Sequence, residues 1–91
     1  MKEKIVITIM GADKVGIVAA ITTKLAQLEI NIEDIRQTIM QGCFSMMMLC
    51  DMANSKRSFK EAKEEITQVA SDLGMETWIQ RKEIFDKMHS V

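Results

Sequence analysis

Hydrophobic positions change their period several times along the chain, and each change marks an element. From Lys4 to Met10 the β-branched run Ile5, Val6, Ile7, Thr8, Ile9 is apolar on both sides, as expected of a strand central in its sheet, and Gly11 breaks it. After a loop from Ala12 to Val15, apolar residues recur at Val18, Ile21, Leu25 and Leu28, the three-and-four spacing of one helical stripe. Asp13 stands as a candidate cap for the free amides of this helix, and Gly16 permits close approach of backbone or ligand. Asn31 to Gln41 alternates through Ile32 and Asp34, then Ile35, Gln37 and Ile39; the phase change at Asp34 and Ile35 predicts a bulge within a second strand. Gln41 and Gly42 make a connection so short that the next run, Cys43 to Met52, must return as the antiparallel arm of a hairpin.

Asn54 to Arg57 reads as a loop. Ser58 with Glu61 three residues on has the form of a capping box, and Phe59, Ala62, Ile66, Val69 and Leu73 trace a second apolar stripe that Gly74 stops. Met75 to Lys82 reads as a fourth strand, and Glu83 to His89 as a short terminal helix carrying Ile84, Phe85 and Met88.

The order βαββαβ plus a tail predicts an α+β, ferredoxin-like sandwich: a four-stranded antiparallel sheet with two helices on one face, because each crossover is right-handed, plus a short C-terminal helix. Residues 1–82 form the expected domain and residues 83–91 a helical extension. Such a sheet leaves one face uncovered. The third strand is nevertheless apolar in both registers, Phe44, Met46, Met48 and Cys50 in one and Cys43, Met47 and Leu49 in the other, so a partner subunit or the terminal helix must cover the second face. A methionine cluster suits a surface that repacks against either.

Composition then narrows the classes. With 47% hydrophobic and 27% charged residues and no proline, the 91-residue chain is globular. Twelve basic residues against 13 acidic ones give a formal charge of −1, which offers no field for nucleic acid or anionic lipid. No apolar run reaches the ~20 residues that span a bilayer, and the start resembles no signal peptide, so a cytoplasmic location is expected. Cys43 and Cys50 lie on one strand about 23 Å apart at ~3.3 Å per residue, facing opposite sides; neither a disulfide nor a shared metal joins them. No nucleophile with a base, no paired carboxylates and no metal cluster stand out, so no catalytic residue, metal or cofactor is expected.

A ferredoxin-like fold hosts many functions, and the first loop decides between them. It lacks the cysteine pair of heavy-metal carriers and the arginine of acylphosphatases, and the central strands lack the stacked aromatics of RNA-binding versions. What it holds is Gly11-Ala12-Asp13-Lys14-Val15-Gly16-Ile17-Val18, followed beyond the helix by Leu28-Glu29-Ile30-Asn31-Ile32. This ordered set, covering nearly the whole chain, resembles the ACT domain. It is similar to small single-domain bacterial ACT proteins related to the transcriptional regulator of the glycine cleavage system, through Gln37 to Gly42 and Ile84 to His89.

The resemblance implies a non-enzymatic regulatory module, a homodimer formed through the sheets, and a small ligand, an amino acid or similar metabolite, held where the first loop and helix start of one subunit meet strand two of another. Carried onto this chain, the ligand site comprises Gly11, Asp13, Lys14, Val15, Gly16, Ile17, Val18, Asn31 and Ile32. The chemistry agrees: free amides near Gly16, Ile17 and Val18 suit a carboxylate, and Asn31 offers both donor and acceptor. Asp13 either pairs with a ligand ammonium or caps the helix, and Lys14 is either an anion clamp or a solvated loop charge. A regulated enzyme or regulator protein is a further partner. The alternative function is a ligand-independent adaptor that joins other proteins through the apolar sheet face.

Overall fold

The computed structural model describes residues 3–88. In chain order the elements are β1 (Lys4–Ala12), α1 (Ile17–Gln27), β2 (Asn31–Met40), β3 (Cys43–Asp51), α2 (Phe59–Asp72), β4 (Glu76–Arg81) and α3 (Lys82–Met88). The strands form one antiparallel sheet in the order β2-β3-β1-β4, the ferredoxin-like arrangement. His89 lies outside the described residues.

Alternation along β1 and β3 gives the sheet two unlike faces. Ile5, Ile7 and Ile9 of β1 and Phe44, Met46, Met48 and Cys50 of β3 are buried in one cluster with Ile17, Ile21 and Leu25 of α1 and Ala62, Ile66 and Ala70 of α2. Each large side chain so buried contributes about 1.5–3 kcal/mol relative to exposure. Burial also raises the Cys50 thiol to about 12, the nearby Glu33 carboxylate adding to the effect, whereas Cys43 at the other end of the strand is exposed.

The helix ends show how local chemistry sets the boundaries. At α2 the Ser58 hydroxyl accepts from the Glu61 N–H at 3.1 Å, and the Glu61 carboxylate accepts from the Ser58 N–H at 3.0 Å. This reciprocal pair satisfies two amides that the helix itself leaves without acceptors. Donation from the Ser58 backbone N–H, and secondarily from its hydroxyl, holds the Glu61 carboxyl below its ordinary range, with the Arg57 charge a smaller help. Gly74 ends the helix region at φ 76°, a left-handed conformation that suits glycine.

Three details differ from the sequence expectation. Gly11 does not break β1; the strand continues through Gly11 and Ala12 because Phe44 and Cys43 pair with them. The irregularity in β2 falls between Ile32 and Asp34, leaving Glu33 as the extra residue, one step before the expected phase change; the Asp34 carboxylate turns back to accept from the Ile35 N–H at 2.9 Å. Asp13 is not the cap of α1. That position belongs to Gly16, at φ 91°, with no side-chain hydrogen bond to the first turn.

The second face is covered in part. β4 passes directly into α3, which folds back so that Phe85 shares a cavity lining with Val6, Met47 and Leu49, and the Gln80 amide donates to Met88 Sδ at 3.1 Å. Val6 is buried as a result. Met10, Met47 and Trp78 keep 40–49% of their surface exposed on the remainder of this face. No helix among the described residues is long and apolar enough to cross a membrane.

Candidate functional site

The loop from Asp13 to Gly16 leaves the C-terminal end of β1 and is anchored at both sides. The Asp13 N–H donates to the Gly42 carbonyl at 2.8 Å, which ties the loop to the β2–β3 turn. That turn has Gln41 at φ 51° and Gly42 at φ 79°, the paired positive values that match the twist of a two-residue hairpin. On the other side Ile17 is buried in the core and fixes the first turn of α1. Val15, between the anchors, is fully exposed at the loop tip.

The floor of the loop is close-packed. A Cβ added at Gly11 would stand 2.8 Å from Met75 Sδ and 3.3 Å from the Gly74 carbonyl oxygen, so only glycine fits without displacement. Lys14 reaches across the same place, its Nζ 3.5 Å from where a Gly74 Cβ would be. Met75 and Gly74 thus belong to this region although nothing local in the sequence connects them to it.

Above the floor, the start of α1 is open. The first intrahelical bond runs from the Ala20 N–H to the Gly16 carbonyl at 2.9 Å, so the amides before Ala20 have no acceptor within the helix, and no side chain caps them. The aligned peptide dipoles make this end partially positive. Val18 is half-buried, and its carbonyl accepts from the Thr22 hydroxyl at 2.8 Å.

Asn31 and Ile32 are elsewhere. β1 and β2 run in the same direction on either side of β3, and Asn31 stands opposite Asp51, which pairs with Lys4 at the beginning of β1. The end of β1, from which the loop leaves, lies eight residues further along, about 26 Å away at ~3.3 Å per residue. Ile32 packs partly against the core, while Asn31 is exposed. One chain therefore brings Gly11, Asp13, Lys14, Val15, Gly16, Ile17 and Val18 together and leaves Asn31 and Ile32 at the opposite end of the sheet. Among the described residues, no three His, Cys, Asp or Glu side chains gather as a metal site.

The comparisons with known proteins agree with this architecture. The ACT domain family profile matches residues 3–80. A UPF0237 protein of Listeria innocua is 49% identical over 86 residues, covering 94% of this chain and 97% of that protein. Among solved structures, an ACT domain protein from Streptococcus pneumoniae superimposes with a TM-score of 0.81 at 35% identity, covering 94% of this chain and 97% of the other. The regulatory subunit of aspartate kinase from Thermus thermophilus shares the fold alone, with a TM-score of 0.67 at 22% identity over 86% of this chain and 50% of that one. On the matched profile, the near full-length relative and the shared topology, the chain belongs to the ACT domain family.

Proposed function

We propose that this protein is a cytoplasmic, non-catalytic regulatory module whose homodimer binds a small ligand, most simply an amino acid, between the α1 start of one subunit and β2 of its partner. The observation that supports the reading is the separation of Asn31 from the α1 start within one chain, beside an exposed edge strand. β2 is an edge strand of ten residues, all exposed except the half-buried Ile32, with Ile39 and Met40 showing 55% and 69% of their surface. An exposed edge of this length leaves a row of backbone N–H and C=O groups open to strand pairing. Antiparallel pairing of β2 with a second β2 sets Asn31 of one subunit beside Met40 of the other, and Met40 adjoins the turn bonded to Asp13. A twofold dimer in this way closes the separation that exists within one chain.

In that dimer the uncapped amides of α1 receive the ligand carboxylate, and the Asn31 side chain of the partner meets its other polar group. Asp13, freed from a capping role, is available to the ligand ammonium. Ligand binding regulates by favouring whichever assembly it fits better, whether that of the dimer itself or its complex with a regulated enzyme or regulator protein. Calorimetric titration with the common amino acids tests the reading: saturable heat in the wild type and weakened binding by Asn31→Ala with the dimer intact. Absence of binding up to millimolar concentration removes amino acids as ligands.

The exposed Met10, Met47 and Trp78 surface favours a second reading, an adaptor that docks a protein independently of metabolites. Partner capture unchanged by added amino acids would select it.

A further inference from the structure

A concavity lined by both charged and aromatic side chains lies at the other end of the sheet, where β1 begins and β4 ends. It encloses about 370 Å³, the scale of a small-molecule site. Its lining has three cationic and three anionic side chains, and their pairing is uneven. Lys4 is held by Glu33 and, at 3.9 Å, by Asp51, and Lys82 donates to Asp86 at 2.5 Å. Those charges satisfy one another.

Arg81 does not share in this. Its guanidinium carbon lies 4.7 Å from the centre of the Phe59 ring, and among the described residues no carboxylate pairs with it. A guanidinium held over a ring still has N–H groups available to bind a carboxylate. Two carboxylates in the same lining, Glu3 and Glu83, also have no side-chain partner among the described residues. Among the described residues the unpaired charges of the cavity are thus one cation and two anions, all solvent-exposed, beside an aromatic wall.

We infer that this cavity is a second ligand site, distinct from the dimer site, that takes a basic α-amino acid: carboxylate on Arg81, aliphatic stem along Phe59, and the two ammonium groups toward Glu3 and Glu83. A polyanion is disfavoured by the carboxylates, and a purely apolar ligand gains nothing from the three exposed charges. The site is complete within one subunit, so it depends on neither the dimer nor the α1 site.

The test is a two-dimensional amide NMR titration with lysine, lysine amide and norleucine. Lysine is expected to shift Phe59, Arg81 and Glu83 saturably, with lysine amide weaker by about tenfold or more, the loss that accompanies a charge-assisted carboxylate contact. Norleucine, which lacks the terminal ammonium, is weaker as well. Arg81→Gln and Glu83→Gln each reduce lysine affinity in spectra whose dispersion shows an intact fold. Lysine leaving those three residues unmoved, or lysine amide binding as tightly as lysine, overturns the inference without using any variant. Shifts confined to Gly16, Ile17 and Asn31 also overturn it and support the dimer site instead, so the two readings fail separately.

Discussion

The two faces of this sheet are built from the same strands and similar side chains, yet they meet different surroundings. On the helix face Ile7 and Met48 are fully buried; one residue along, on the other face, Thr8 and Met47 look outward, with Met47 41% exposed. The difference teaches that apolar character records what a face will eventually touch, whereas burial within one chain records only what that chain supplies. α1 and α2 supply a lid for one face. α3, seven residues long, covers only the region around Val6 and Leu49 on the other.

The largest expected effect is on the covered face. Ile7→Ala should cost about 2–5 kcal/mol in a urea titration, because it empties space that the packed helices cannot fully reclaim. Met47→Ala on the open face should change subunit stability by about 0.5 kcal/mol or less, the value typical of a surface site. Equal losses at the two positions would mean that the open face is covered within the subunit.

Next comes the pair of cysteines, which report the faces chemically. Cys43 should react with a thiol reagent in the folded protein, and Cys50 only on unfolding. Because the folded Cys50 thiol is raised from 9.0 to about 12, its neutral form is favoured in the native state. That stability is intact below about pH 9 and is lost as pH climbs toward 12, since the unfolded chain ionises first. Cys50→Ala should remove this alkaline slope in thermal melts, and Cys43→Ala should leave it.

A smaller effect tests how firmly the lid is fastened. Ser58→Ala should cost about 0.5–2 kcal/mol by releasing the α2 cap. The folded Glu61 pKa is depressed, so the cap's contribution is present above the unfolded carboxylate value and lost as pH falls through the folded one. The difference between Ser58→Ala and wild type should therefore shrink in acid. The smallest effect belongs to the hairpin end, where Gln41 sits at φ 51°: Gln41→Gly should raise stability by up to about 1 kcal/mol by relieving a left-handed residue.

What was legible in the sequence follows the range of the interactions. The α2 cap could be read from Ser58 and Glu61 because both partners lie within one turn, and the opposed cysteines followed from strand periodicity alone. The βαββαβ order and the doubly apolar β3 were equally visible. Asp13 misled because its residue type suits a cap, while the position was taken by Gly16, whose backbone conformation no pattern displays. The bulge shifted by one residue since Glu33 can be accommodated only once β3 fixes the register. Contacts of Asp13 with Gly42, of Lys14 with Gly74, and of Arg81 with Phe59 join residues distant in sequence, and no local signal announces them. The separation of Asn31 from the loop was likewise a consequence of strand order, not of motif spacing.

That separation supplies the most direct test of a ligand site shared between subunits. Val15→Asp places a negative charge at the exposed loop tip, where it repels a ligand carboxylate with little cost to folding, and Asn31→Ala removes the contact on β2. Each variant homodimer should bind the amino acid more weakly than the wild type does. Mixed and allowed to exchange subunits, the two should recover wild-type affinity in calorimetry for a fraction of the sites, because each heterodimer has one site with both halves intact. No recovery of affinity in the mixture, with subunit exchange verified, would contradict the account.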